Sequence, residues 1–133
     1  MIPPFDDNGY LPPGIHKASL DEIAERFGRQ SEVRATQMDS VRWLVDLARR
    51  AGAERVVLNG SFATAVLEPN DVDCVLLTGL DFPRETAAQS ELKVGLPFLE
   101  IQLVGRVDFD RLTGIFFATD RHFSAKGMIE VQL

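Results

Sequence analysis

The sequence predicts one mixed α/β (α+β) domain, with a mixed β-sheet of about four strands and flanking helices. Short runs rich in Val, Leu and Ile alternate with longer amphipathic segments, and Gly, Pro and Asn residues separate the two kinds. The chain has 133 residues, which is enough for one hydrophobic core. We therefore expect residues 1–133 to form a single domain.

Residues 1–18 are predicted to form an extended, proline-rich arm. Pro3-Pro4 and Pro12-Pro13 are incompatible with a helix interior. The arm also carries apolar side chains that should pack on the domain: Ile2, Phe5, Tyr10, Leu11 and Ile15. We expect the arm to lie against the domain surface as extended chain.

Two helices should follow the arm. Ser19 and Glu22 have the spacing of a capping box, and Gly28 is a suitable stop for the first helix. The second helix is predicted over residues 32–51, ending before Gly52. Its core-facing stripe has helical spacing and contains Val41, Leu44, Val45 and Ala48.

The rest of the chain alternates between predicted strands and shorter helices. Four segments have the composition of strands: residues 55–59, 71–77, 98–104 and 128–132. Three segments are predicted as helical: residues 62–66, 84–94 and 109–117, the last of them capped by Asp108. Cys74 alternates into the core and is expected to be an inert buried thiol.

Composition and charge exclude several classes of protein. Lys and Arg number 14 and Asp and Glu number 20, a net charge of −6, which argues against strong unaided binding of nucleic acid. A single cysteine excludes an internal disulfide and a multi-cysteine zinc site. No apolar run has the length of a membrane span, and the N-terminus has no secretory signal pattern, so we expect a cytoplasmic protein without membrane contact.

Gly60 and Ser61 are candidates for binding phosphate. They lie where a predicted strand turns into a predicted helix. A residue without a Cβ permits a tight turn and close approach of a ligand, and the following helix offers unpaired N–H groups. Ser61 adds a hydroxyl donor at the same point.

Asp71, Asp73 and Glu100 are candidates for binding metal. Successive strand residues face opposite sides, so Asp71 and Asp73 share one face. Neighbouring carboxylates repel each other, and magnesium, which prefers oxygen ligands, relieves that repulsion. Glu100 faces away from the apolar side of its strand and reaches the Asp pair if the two strands are neighbours. Three carboxylates can hold two metal ions about 3.5–4 Å apart.

The order Gly60-Ser61, a variable gap and then Asp71-Val72-Asp73 resembles the signature of the nucleotidyltransferase superfamily related to DNA polymerase beta. The whole chain, including the arm and residues 120–127, also resembles small, uncharacterised bacterial members of that superfamily. The resemblance implies a nucleotidyltransferase-like fold. It also implies a nucleoside triphosphate bound by Gly60 and Ser61, and two Mg²⁺ ions held by Asp71, Asp73 and Glu100 as the third acid.

Three points of this assignment stay open on the sequence alone. Glu100 is either a metal ligand or simply an exposed strand residue, since alternation predicts both. The third acid of the superfamily is commonly aspartate, so Asp108 is the alternative to Glu100. Arg121 and Lys126 flank a loop before the last strand, where they either neutralise phosphate or remain solvated.

Two functions are therefore predicted from different classes. The first is metal-dependent transfer of a nucleoside monophosphate from a nucleoside triphosphate to a hydroxyl acceptor. The alternative is a catalytically silent module of the same fold that binds a protein partner through residues 1–15, such as the antitoxin of a toxin–antitoxin pair. A nucleotide sensor without turnover is a third reading.

Overall fold

A computed structural model describes all residues from 1 to 133. Five strands and four helices follow one another as β1 (Ile15–Ala18), α1 (Leu20–Phe27), α2 (Glu32–Ala51), β2 (Ala53–Asn59), β3 (Val72–Thr78), α3 (Thr86–Val94), β4 (Leu99–Val104), α4 (Arg106–Arg111) and β5 (Met128–Val131). A 3₁₀ turn at Gly60–Ala63 follows β2, and a π-helical turn at Leu112–Phe116 continues α4. None of the helices has the length and apolar character needed to cross a membrane.

The strands form one mixed sheet in the order β1-β5-β2-β3-β4. β2 runs antiparallel to both β3 and β5, whereas β3 pairs with β4, and β1 with β5, in parallel. Asn59 is the register partner of Asp73 on one side, and Glu100 is its partner on the other. The polar residues Asn59, Asp73 and Glu100 of β2, β3 and β4 therefore lie side by side at one edge of the sheet.

Helices cover both faces of the sheet. The main core lies between one face and α1, α2 and α3, and it contains Phe27, Leu44, Val72 and Cys74. A smaller cluster covers the other face, where Phe109 and Phe117 pack on Val57, Val75 and Leu77. Asp73 shares this second face with Val75 and Leu77 because strand side chains alternate. Asp73 lies at the end of that face.

Most elements lie where the sequence predicts them. The capping box of Ser19 and Glu22 is present, and α2 runs from Glu32 to the residue before Gly52, whose φ is +85°. On β4, Leu99, Ile101 and Leu103 pack on the core while Glu100 is exposed. Cys74 is buried, as expected, and desolvation raises the pKa of its thiol.

The arm and the number of strands differ from the prediction. The sheet has five strands rather than about four, because residues 15–18 at the end of the arm pair with β5. Ile2 and Leu11 are buried in the core, but Ile15 is exposed. A four-residue edge strand with two polar residues has no alternating pattern to reveal it, and its partner is distant in sequence.

Three local predictions were also wrong. The predicted helix over residues 62–66 is a 3₁₀ turn at Gly60–Ala63, and β3 begins at Val72, one residue after Asp71. Asp108 does not cap the helix at 109–117. Gly105 occupies the N-cap position, and Asp108 lies within the first turn of α4, where its carboxylate pairs with Arg111 at 2.8 Å.

Candidate functional site

Gly60 forms the turn between β2 and the 3₁₀ segment. Its φ is +73°, a conformation that side chains with a Cβ rarely adopt. A Cβ at this position would also collide with the carboxylate of Asp73. Because residue 60 has no side chain, the turn after β2 can be in direct contact with Asp73 on β3.

Replacement of Gly60 by alanine should therefore be costly. We expect Gly60→Ala to lower the free energy of unfolding by about 2–4 kcal/mol, from left-handed strain plus overpacking against Asp73. Gly14→Ala is the matched control, because Gly14 has a φ of +112° but nothing within 4 Å of the added Cβ. Urea titrations should give a clearly larger loss for Gly60→Ala, and equal losses would contradict the close contact with Asp73.

Asp73 is the electrostatic centre of the site. Its carboxylate is half-buried, and desolvation followed by repulsion from Asp71 and Glu100 raises its pKa, while Lys126 acts in the opposite direction. No protein group contributes a hydrogen bond that lowers this pKa. The fold therefore holds a carboxylate near the start of β3 whose negative charge is only partly balanced by Lys126. This unbalanced charge lowers the stability of the folded chain.

The predicted acids do not form a closed group. No three His, Cys, Asp or Glu side chains lie together in a way that could hold a metal ion. Glu100 is the register partner of Asp73 but lines a separate groove beside β4, and Asp71 precedes the strand. The chemistry of these side chains fits magnesium, because carboxylates that repel one another supply the hard oxygen ligands that this ion prefers.

Gly60, Ser61 and Asp73 line one cleft of about 560 Å³. Its opposite wall is formed by the end of the π-helical turn, which contributes Phe116, and by the segment from there to β5, which contributes Asp120, Arg121 and Lys126. Arg121 and Lys126 thus lie in the same cleft as the Gly-Ser turn. The sequence alone had left open whether they neutralise phosphate or are simply solvated. The cleft therefore contains a serine and two cations, which are groups that can bind an anionic ligand.

Arg34 of α2 holds the Gly-Ser loop in place from behind. It is only 2% exposed, and its guanidinium donates to five backbone carbonyls. These belong to Phe27, Ser61, Phe62, Thr64 and Val66. Burial lowers the pKa of Arg34. No carboxylate pairs with Arg34, so these carbonyls and the rings of Phe27 and Phe62 solvate its charge.

Sequence reasoning missed Arg34 and Asn59. Arg34 lies seven residues before Val41, a spacing of two helical turns that places it on the core-facing stripe of α2. A charged residue on that apolar stripe was the signal that could have revealed it. Asn59 ends β2 and is 1% exposed, yet neither its Oδ1 nor its Nδ2 has a partner. Buried amides are normally hydrogen-bonded, so Asn59 marks an unsatisfied polar position directly before Gly60.

Tyr10 joins the arm to both walls of the cleft. Its backbone forms a bridge with Thr64, and Gly9 accepts a hydrogen bond from the N–H of Ala65 at 2.9 Å. The hydroxyl of Tyr10 donates to Oδ2 of Asp120 at 2.8 Å. This hydrogen bond raises the pKa of Tyr10 and lowers the pKa of Asp120. No sequence signal links the two residues, which lie at opposite ends of the chain.

The comparison with protein families places the chain in one of them. Residues 3–132 match a family of unknown function, DUF6932, and the chain belongs to that family. No curated protein and no solved structure matches the chain. The family description names no activity.

Proposed function

We propose that this chain is a metal-dependent nucleotidyltransferase with the fold of the DNA polymerase beta-like superfamily. It would transfer a nucleoside monophosphate from a nucleoside triphosphate to a hydroxyl acceptor. One observation carries the proposal: Gly60 and Ser61 share a cleft with Asp73, whose carboxylate lies where a Cβ of residue 60 would be. The two halves of the sequence signature thus meet at one place.

The cleft residues would divide the work of binding and orienting the triphosphate. The N–H groups of the turn and the hydroxyl of Ser61 would bind the β- and γ-phosphates. Arg121 and Lys126 would pair with phosphate oxygens from the opposite wall. Positioning and charge stabilisation of this kind can supply most of the catalysis in phosphoryl transfer.

Asp73 would hold magnesium with the help of Asp71, which precedes the same strand, while Glu100 lines the separate groove and adds only its negative charge. Bound magnesium would neutralise the triphosphate and make the acceptor hydroxyl more acidic. Desolvation and then repulsion from neighbouring carboxylates raise the pKa of Asp73, which supports this role because a bound cation would offset both effects. Asp108 is not needed for the site, since it lies on α4 in an ion pair with Arg111.

Calorimetry with each of the four ribonucleoside triphosphates tests the proposal. We expect binding in magnesium, loss of binding in EDTA, and loss in the double variant Asp71→Ala/Asp73→Ala. Asp108→Ala is the matched control, because it removes an exposed carboxylate outside the cleft, and it should bind normally. If no triphosphate binds the wild-type chain in magnesium, the proposal is wrong.

A catalytically silent partner-binding module is the second candidate. It is favoured by the absence of a closed three-acid group and by the exposed apolar side chains Ile115, Phe116 and Phe123 near the cleft. The arm is a poorer docking segment than the sequence suggests, since Ile2 and Leu11 are buried in the core of the chain itself. Release of pyrophosphate separates the two functions, because a silent module would release none.

A further inference from the structure

The hydroxyl of Tyr10 is fixed at the wall of the cleft by its hydrogen bond to Asp120. Tyr10 lines the cleft together with Gly60, Ser61 and Asp73. Its backbone is fixed by Asp6, whose carboxylate accepts from the N–H of Tyr10 at 3.0 Å. The hydroxyl is therefore held at the cleft wall instead of swinging free on the arm.

Asp120 is arranged as a base for this hydroxyl. One of its oxygens, Oδ1, accepts from the backbone N–H groups of His122 at 2.8 Å and Ser124 at 2.9 Å. The other oxygen, Oδ2, faces the hydroxyl of Tyr10 at 2.8 Å. A nucleophile within hydrogen-bond distance of a base that is itself oriented by further groups is the usual arrangement in covalent catalysis.

We propose that Tyr10 is an acceptor of the transferred nucleotide, so that the chain nucleotidylylates itself on this residue. The inference rests on the proposed function and deepens it by naming a phenolic hydroxyl as the acceptor class. Its basis is that one cleft contains the Gly60-Ser61 turn, Asp73, the cations Arg121 and Lys126, and a hydroxyl paired with a carboxylate. The donor is a nucleoside triphosphate.

The step balances without any further reactant. The oxygen of Tyr10 attacks the α-phosphorus, a new P–O bond forms, and the bond between the α-phosphorus and the α,β-bridging oxygen breaks. Pyrophosphate leaves, and the phenolic proton passes to Oδ2 of Asp120. The product is a phosphodiester between Tyr10 and the nucleoside. Since the modified oxygen has no proton to donate, its hydrogen bond to Asp120 is lost and each chain reacts once.

Intact-mass spectrometry of the full chain, incubated with each triphosphate and MgCl₂, tests this proposal. We expect the mass to increase by one nucleoside monophosphate, and peptide fragmentation to locate the adduct on Tyr10, the chain's single tyrosine. Tyr10→Phe keeps the ring but removes the nucleophile, so it should form no adduct. Asp120→Asn should slow adduct formation by about 10²-fold or more, as expected on loss of a general base.

The possible results separate the inference from the proposed function. Magnesium-dependent binding of triphosphate with no adduct, or with an adduct on Ser61, Thr64 or Thr119, overturns the inference and leaves the proposed function intact. Failure of every triphosphate to bind the wild-type chain overturns both. Circular dichroism melting of Tyr10→Phe and Asp120→Asn checks that each remains folded, and an adduct that persists in folded Tyr10→Phe also refutes the assignment.

Discussion

Arg34→Ala should lower the free energy of unfolding by about 3–5 kcal/mol. Five backbone carbonyls lose their donor when the guanidinium is removed. A buried carbonyl without a partner costs about 1–3 kcal/mol, and those at the loop surface will regain water. Two aromatic rings, Phe27 and Phe62, also lose a cation that lies 5.9 and 5.3 Å from their centroids.

The same substitution should weaken binding in the cleft. The carbonyls of Ser61, Phe62 and Thr64 belong to the loop that follows Gly60, so the loop loses its support from α2. We expect the affinity for a triphosphate in magnesium to fall about tenfold, which corresponds to about 1.4 kcal/mol. Urea unfolding measures the first effect, and calorimetry under conditions where the variant is folded measures the second.

Two variants control for the loss of charge alone. Arg42→Ala removes an exposed arginine from the same helix and should change stability by no more than about 0.5 kcal/mol. Arg34→Lys retains the positive charge, but its ammonium lacks the planar fork that reaches several carbonyls, so it should recover only part of the loss. Full recovery by lysine would show that charge matters more than the hydrogen-bond pattern.

Asp73→Asn should have opposite effects on stability and on binding. In EDTA at pH 7 we expect the variant to be more stable than the wild type, because burial and then repulsion raise the pKa of Asp73, so that its ionised form costs folding free energy. The amide removes a half-buried charge that is repelled by Asp71 and Glu100. Binding of triphosphate should be lost, and with it the stabilisation of about 2.7 kcal/mol expected at one hundred times the Kd.

The pH dependence of this difference has a definite sign. The pKa of Asp73 is raised in the folded chain, so the folded state holds this proton more tightly than the unfolded state. The resulting contribution to stability is fully present below the unfolded value of about 3.9 and is lost as the pH rises through the folded pKa. The advantage of Asp73→Asn should therefore grow from pH 4 upward and then become constant.

Denaturant titrations across this pH range in EDTA, with Asp108→Asn as the exposed control, measure the difference. The control should show no such gain in stability, because its carboxylate pairs with Arg111 at the surface. A wild-type chain that is more stable than Asp73→Asn at pH 7 without metal would mean that the carboxylate is compensated in a way that the structure does not contain.

Much of the fold follows from local sequence. The bounds of α2 are set by Ser31, whose side chain accepts from the N–H of Arg34, and by Gly52 with its positive φ, so both ends have signals in neighbouring residues. The alternation of β4 likewise separates Leu99 and Ile101 from Glu100. By contrast, β1 could not be predicted, because it is stabilised by pairing with β5 at the other end of the chain.

The candidate site divides in the same way. Gly60, Ser61 and Asp73 carry signals in sequence, since a glycine at a strand end and a polar residue on an apolar strand are locally unusual. Glu100 was correctly placed on the polar face of its strand, but its groove was not predictable, since it depends on what packs beside β4. The pairing of Tyr10 with Asp120 had no local signal at all.

The sequence by itself determined the mixed α/β class and the main helices, and it singled out most of the residues on which the proposed site rests. These depend on periodicity, caps and turn chemistry, which act between residues close along the chain. Only the tertiary structure decided that Asp73 contacts the turn at Gly60, that Arg34 is buried beneath it, and that Tyr10 and Asp120 meet across the cleft. Such contacts join distant segments, and their energies arise from burial and desolvation that exist only once the chain has folded.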